Sequence, residues 1–250
     1  MARGVVAVTG GASGIGLAVA RAAAGAGYRV AVADRDRVAL EAAREALPDG
    51  TTLSQLDVTD EARVEGWIAE ASDAAKLAGL VTAAGIAADA HVLETSAEQF
   101  RRILDVNVTG TFLCAKAAAR RMRETGGGAI VTIASVSGVR GSKGRAAYGC
   151  SKAAVINLTQ VLAVDLAADG IRANAVCPGP VETPLVARVH TPETRAHWLA
   201  HVPQRRYARP DEIAGAVLFL LDPHQSGFVT GVALPVDGGF AAAGLTALGR

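Results

Sequence analysis

The strongest constraint on this chain is an alternation of short β-branched runs with Ala-rich segments of helical period, at residues 5–8, 17–26, 29–33 and 38–47. Parallel neighbouring strands need a connection long enough to return to the same end of the sheet, and a helix supplies it. Further strands are expected at 52–56, 79–82, 129–134, 172–176 and 233–236. Together they make roughly seven strands in one doubly wound, parallel α/β sheet with helices on both faces. With 250 residues, half of them hydrophobic, residues 1–250 can bury such a sheet from both sides as a single domain. Ser96 with Gln99 three residues on has the form of a capping box, so a helix should begin there. Gly126-Gly127-Gly128 should end the helix expected over 111–123. Pro178, Pro180, Pro184, Pro192 and Pro203 mark an excursion off the sheet, with a short helix near 193–200. The C-terminal residues 241–250 are small and are expected to be partly mobile.

Charge and cysteine usage remove several classes of function. The formal net charge is +1 with both signs dispersed, so the basic footprint required by a phosphate backbone is missing and no nucleic-acid partner is expected. Cys114, Cys150 and Cys177 are an odd number at wide spacing, which fits reduced thiols in the cytoplasm rather than a disulfide framework or a zinc site. None of the five histidines has metal-ligand spacing, and no metal is expected. The N-terminal run meets a glycine turn before a signal-peptide core forms, and no apolar stretch reaches the length of a membrane span. The expectation is a soluble cytoplasmic protein with no membrane partner.

Directly after the first expected strand comes Thr9-Gly10-Gly11-Ala12-Ser13-Gly14-Ile15-Gly16, opening a helix. Glycines there allow a tight turn and bring backbone N–H groups up to a pyrophosphate, which the helix N-terminus favours. A plain strand-to-helix turn would look similar, but the second strand ends on Asp34, where a ribose-binding acid belongs in a Rossmann-type unit. Asp34 can accept hydrogen bonds from both adenosine ribose hydroxyls and would repel a 2'-phosphate, so NAD is expected over NADP. Arg35 next to it could pair with that phosphate if its side chain turned inward; its alternative role is a solvated surface cation or a stack on adenine.

Tyr148 and Lys152 stand four residues apart on the first turns of another expected helix, which puts phenol and ammonium on one face. An ammonium beside a phenol favours the phenolate and is expected to lower its pKa, making Tyr148 a usable general acid or base.

Taken in order, the Gly loop, Asp57-Val58, Asn107, Ser135, Tyr148-x-x-x-Lys152, Pro178-Gly179 with Thr183, and Asp237-Gly238-Gly239 resemble the short-chain dehydrogenases/reductases over essentially the whole chain. The resemblance implies that Tyr148 exchanges a proton with the substrate oxygen while Lys152 lowers its pKa and holds the nicotinamide ribose. Ser135 would hydrogen-bond the same oxygen, and Asn107 would interrupt its helix and hold a water linking Lys152 to solvent. It also implies a cofactor site built from Gly10, Ser13, Gly14, Ile15, Gly16, Asp34 and Arg35. Asp57 and Val58 would border the adenine, with Ala84, Gly85, Pro178, Gly179, Val181 and Thr183 completing the lining. Each residue has a plainer role available. Ser135 can cap a strand end, Asn107 can kink a helix, Tyr148 can be a half-buried core aromatic, Asp57 can cap the helix starting near Glu61, and Thr183 can be a turn residue before Pro184. Where the family usually has Asn after the fourth strand, this chain has Thr82-Ala83-Ala84-Gly85, so one of the amide's donors is missing at the sheet centre. Thr82→Asn is expected to be tolerated.

By the same resemblance a lid at about 183–209 and the loop 138–145 frame the substrate. They carry Arg140, Lys143, Arg145, Arg188, Arg195, Arg205, Arg206 and Arg209, which would bind an anionic substrate group or, as exposed arginines more often do, pair on the surface. The expected activity is NAD-dependent interconversion of a small-molecule secondary alcohol and its ketone by a homotetramer. A 3-oxoacyl-carrier-protein reductase using NADPH fits the same fold, and Asp34 opposes it. From another class, an NADH-sensing regulatory protein without turnover is opposed by the complete Asn107, Ser135, Tyr148 and Lys152 set.

Overall fold

The structure is a computed structural model that describes residues 3–73 and 75–243. Strands β1 (Val5–Thr9), β2 (Arg29–Asp34), β3 (Thr52–Gln55), β4 (Leu77–Thr82), β5 (Gly128–Ile133), β6 (Ile171–Pro178) and β7 (Ala233–Val236) form one sheet in the order β3-β2-β1-β4-β5-β6-β7. Every neighbouring pair is parallel. Such a sheet is buried on both faces, which is why its strands read as nearly continuous Val, Ala, Ile and Leu runs. Side chains alternate between the two faces. Val6 and Val8 join a core with Val19 and Ala20 of α1 (Gly14–Gly25), Leu40 of α2 (Arg37–Ala46) and Ile213 and Val217 of α9 (Pro210–Leu221). Val5 and Ala7 join the opposite core with Trp67 and Ile68 of α3 (Glu61–Asp73) and Cys114 and Met122 of α5 (Gly110–Glu124).

All seven expected strands are present, with ends differing by up to two residues. α4 (Ala97–Leu104) starts where the capping motif placed it, Ser96 Oγ accepting from Gln99 N at 3.1 Å. α5 ends at a glycine pair, Gly126 and Gly127 with φ of 82° and 90°, and Gly127 N closes back on Met122 O at 2.8 Å. The proline-rich excursion departs from expectation. Besides α8 (Pro192–His201) it holds a second helix, α7 (Pro184–Val189), and both begin with proline in the first turn behind a threonine cap, Thr183 on Val186 N and Thr191 on Thr194 N. Proline at that position lacks an N–H that a helix start does not use, so these prolines open helices instead of breaking them. α10 (Pro223–Ser226) and the long α6 (Ala146–Asp165) complete the helices. Of the C-terminal stretch expected to be mobile, residues 244–250 lie outside the described residues. Among the described residues no helix is long and apolar enough to cross a membrane, and Cys114, Cys150 and Cys177 are unbridged.

Candidate active site

The strand order reverses between β1 and β4, and a cleft of about 380 Å³ opens there beyond the carboxyl ends of the strands. Its floor is the Gly loop. Gly10 has φ +63°, and a Cβ on it would stand 2.6 Å from Ala84 N; on Gly16 it would stand 2.1 Å from Gly10 O. Only glycine lets the loop fold this tightly against the start of α1. Ser13 precedes α1 in an extended conformation and makes no side-chain cap, so the N–H groups at this helix start are open to a ligand in the cleft. At one end of the cleft Asp34 is pinned by two backbone donors, Ala12 N at 3.2 Å and Asp36 N at 3.1 Å, with Arg35 beside it. Asp57 and Val58 line the cleft next to them. Asp57 accepts from Thr59 N at 3.0 Å and Thr59 Oγ1 at 2.8 Å, and these bonds hold its carboxyl below the ordinary value. It does not cap α3: Asp60 does, accepting from Arg63 N at 3.1 Å. Val58 is fixed by Gly110, where a Cβ would come within 2.5 Å of Val58 Cγ2.

The other end of the cleft holds the expected reactive groups. Ser135 follows β5, and its Oγ accepts from Ser137 N at 3.1 Å, so the cap role is real. The same bond leaves the hydroxyl hydrogen free, and the neighbouring Ser135 hydroxyl favours the ionised form of the Tyr148 phenol. Lys152 is nearly buried, 6% exposed, and donates from Nζ to Ile133 O at 2.8 Å, with Nζ 5.7 Å from the Tyr148 ring centroid. Asn107 lies in a π turn, Asp105–Thr109, between α4 and α5. Its amide accepts from Ile86 N at 2.8 Å and donates to Ile86 O at 3.0 Å and Ser151 Oγ at 2.9 Å, while Ser151 Oγ donates to Tyr148 O at 2.7 Å. Asn107 therefore clamps the loop following β4 to the N-terminal turns of α6. Gly85 permits the approach: a Cβ there would sit 3.2 Å from Asn107 Oδ1 and 3.5 Å from Lys152 Nζ.

One electrostatic expectation is corrected. In the protein alone the Tyr148 phenol is pushed up, not down, because desolvation of its hydroxyl outweighs the Ser135 hydrogen bond and the Arg145 charge that favour ionisation. Lys152 gives way instead: burial pulls its ammonium down to about 8. Ammonium and phenol share a face, as the spacing requires, but Nζ is turned onto the Ile133 carbonyl.

Ala84, Pro178, Gly179, Val181 and Thr183 line the same cleft, as do Gly14 and Ile15. Three contributors escaped the sequence: Ile86, Ser151 and the Leu185–Val186 wall. Ser151 stood inside the Tyr148–Lys152 segment, and its spacing from Tyr148 was the available signal. Four of the eight basic residues considered for substrate binding are already paired with carboxylates. Arg145 pairs with Asp89 at 2.9 Å, Arg195 with Glu182, Arg206 with Glu212 at 2.7 Å, and Arg209 more loosely with Glu212 at 3.8 Å. Arg188 lines the cleft itself.

These residues fit a nicotinamide dinucleotide: a glycine cradle at an uncapped helix start, an acid at one end and a Ser, Tyr and Lys cluster at the other, along one cleft. A family model described as enoyl-(acyl carrier protein) reductase matches residues 10–241. The chain is 42% identical over 247 residues to 2-(S)-hydroxypropyl-CoM dehydrogenase 3 of Xanthobacter autotrophicus, covering 95% of this chain and 96% of that one. It is 41% identical to the galactitol 2-dehydrogenase (L-tagatose-forming) of Cereibacter sphaeroides, covering 94% and 93%. The crystal structure of levodione reductase superposes with a TM-score of 0.90 at 33% identity, covering 96% of this chain and 98% of that one. Sequence, fold and site geometry agree that the chain belongs to the short-chain dehydrogenase/reductase family of oxidoreductases, whose members use a nicotinamide cofactor.

Proposed function

We propose that this protein is an NAD(H)-dependent oxidoreductase that interconverts a secondary alcohol and a ketone, with Tyr148 as general acid/base. The observation that carries the reading is the placement of Ser135, Tyr148 and Lys152 at one end of a cleft whose other end is closed by the fixed carboxylate of Asp34. Relatives named as dehydrogenases of hydroxypropyl-CoM, galactitol and butanediol support the substrate class. Asp34, with both oxygens already directed by backbone donors, supports NAD over NADP because a 2'-phosphate there would meet a charge that cannot turn away.

When bound, a nicotinamide cofactor would supply the hydride chemistry. The protein's own groups handle the proton. Tyr148 Oη holds it in the protein alone, as an acid that protonates the oxygen of a ketone must. Ser135, one of its two lone pairs taken by Ser137 N, presents its O–H to the substrate oxygen and steadies the charge developing there. Lys152 holds the nicotinamide ribose and, with Asn107, forms the inner end of a water-linked path by which the proton leaves. The segment 183–209 serves as a lid on the single domain. We place the protein in the cytoplasm as a homotetramer; the exposed apolar side chains Phe112 on α5 and Val161 and Val164 on α6 support the assembly.

A screen of secondary alcohols with NAD and with NADP, followed by cofactor reduction, tests the reading. Turnover is expected with NAD, and Tyr148→Phe is expected to lower kcat by ~10³-fold or more with NADH binding retained. Equal use of NADP would overturn the cofactor assignment, and an unchanged rate in Tyr148→Phe would overturn the role of the phenol.

A further inference from the structure

The lid reaches the catalytic helix through a line of polar contacts that the chemistry above does not use. Asp89, in the loop after β4, pairs with Arg145 Nε at 2.9 Å. Arg145 Nη2 contacts His190 Nε2 at 3.1 Å, and His190 Nδ1 contacts Tyr207 Oη at 2.9 Å. The direction of these bonds follows from the partners. A guanidinium has donors only, so His190 Nε2 accepts and the ring proton sits on Nδ1, where it is donated to Tyr207. His190 is suited to this neutral form, since burial and the nearby Arg145 and Arg195 lower its pKa against the opposing pull of Asp89 and Glu182. Its ring also lies parallel to Trp198 with centroids 6.1 Å apart, so the C-cap of α7, helix α8 and the loop that follows α8 meet at one point.

Arg145 immediately precedes α6 and stands one turn before Tyr148. Its side chain is 11% exposed, and Cζ lies 5.3 Å from the Tyr148 ring centroid, nearer than Lys152 Nζ at 5.7 Å. A guanidinium held out of water this close to a phenol acts on its ionisation at low effective dielectric.

We propose that Arg145 is a positioning residue, a second cation that favours the Tyr148 phenolate, anchored on one side by Asp89 and on the other by the lid's His190. The acidity of the phenol then depends on how the lid is seated. The proposal rests on Tyr148 being the acid/base group of the reading above. Asp89 has two opposed effects: it fixes Arg145 in place, and its own negative charge disfavours the phenolate. Its carboxylate is the more exposed partner, at 36% against 11%, so replacing it by an amide of the same shape removes the charge and keeps the anchor.

The chain has three tyrosines, Tyr28, Tyr148 and Tyr207. Protein labelled at tyrosine Cζ with the NMR-active carbon isotope therefore gives a readable titration, and Tyr148→Phe assigns the resonance. Compared with the unsubstituted protein, Tyr148 is expected to ionise at higher pH in Arg145→Met and at lower pH in Asp89→Asn. Arg145→Lys is expected to fall between Arg145→Met and the unsubstituted protein, and His190→Phe to move in the direction of Arg145→Met by less. On the rising limb of the pH profile for alcohol oxidation, Arg145→Met should lose roughly three- to tenfold in kcat and Asp89→Asn should gain about twofold. Opposite movements are what a charge effect requires, whereas loosened packing would move both variants the same way. Titrations that stay put, or that shift in one direction in both variants, would overturn the proposal, and an unmoved His190→Phe would overturn its link to the lid. The titration needs no turnover, so a protein that oxidises no alcohol would count against the proposed reaction and leave the Arg145 result to be read by itself.

Discussion

Lys152 carries an ammonium that is 6% exposed and has one backbone acceptor, Ile133 O, within hydrogen-bond distance. Burial lowers its pKa to about 8 from an ordinary 10.5. Between those values the unfolded chain holds a proton that the folded chain has released, so stability rises with pH across the window, and below pH 8 the full cost of the buried charge is present. Lys152→Met is therefore expected to be about 1–3 kcal/mol more stable than the unsubstituted protein at pH 7, with the gain shrinking towards pH 10. Urea unfolding at the two pH values measures it; a variant that is less stable at pH 7 contradicts it. Thr82 gives a second test of the site's support. Thr9, Thr82 and Thr132 stand in register across β1, β4 and β5. Thr132 Oγ1 bonds Thr159 Oγ1 at 2.7 Å, and Thr9 Oγ1 accepts from Ala84 N at 3.4 Å, but the buried Thr82 hydroxyl has no partner among the described residues. Thr82→Val keeps the shape and removes the orphan, so a gain of about 1 kcal/mol in chemical denaturation is expected, and a loss would show that the hydroxyl is bonded. The departure at Thr82 was legible in the sequence because a motif surrounds it. The sign of the Tyr148 shift was not, since desolvation depends on packing from β5, α6 and the loop after β4, which residue spacing does not contain.

At the scale of elements, the π turn at Asp105–Thr109 does what a regular helix would not. Gly110 N reaches back to Asp105 O, and Thr111 Oγ1 takes the Asn107 carbonyl at 2.8 Å. The extra residue turns the Asn107 amide inward onto Ile86 and Ser151. Asn107→Ala leaves the Ile86 backbone pair and Ser151 short of partners, and is expected to cost roughly 2–3 kcal/mol in thermal or urea unfolding and to lower kcat by at least ~10-fold. A variant with unchanged stability would show that the clamp carries no load. That Asn107 interrupts a helix came from family resemblance; nothing in the local propensities of Asp105-Val106-Asn107-Val108-Thr109 marks a π turn. The same limit applies to α7. Its proline at the first turn and threonine cap were visible in the sequence, but the density of prolines around them suggested irregular chain, and only the backbone distinguishes a helix-opening proline from a breaking one.

Across the whole molecule, the alternation of strand and helix fixed the architecture, because a parallel sheet with helical crossovers allows few arrangements and places a ligand cleft where the strand order reverses. The Gly loop and Asp34 could be assigned to that cleft from their places at the carboxyl ends of β1 and β2, whereas the helical Tyr148–Lys152 pair was assigned to it through the family resemblance. The contacts between distant segments could not: Asp89, Arg145, His190 and Tyr207 are spread over more than a hundred positions and meet only in the folded chain. Direct hydride transfer in this cleft, with Tyr148 handling the proton, is tested with a secondary alcohol carrying deuterium on its carbinol carbon, incubated with NAD and the protein. The expected result is deuterium in the reduced nicotinamide, with none transferred by Tyr148→Phe under the same conditions; deuterium that stays on the alcohol, or transfer that proceeds equally without the phenol, would contradict it.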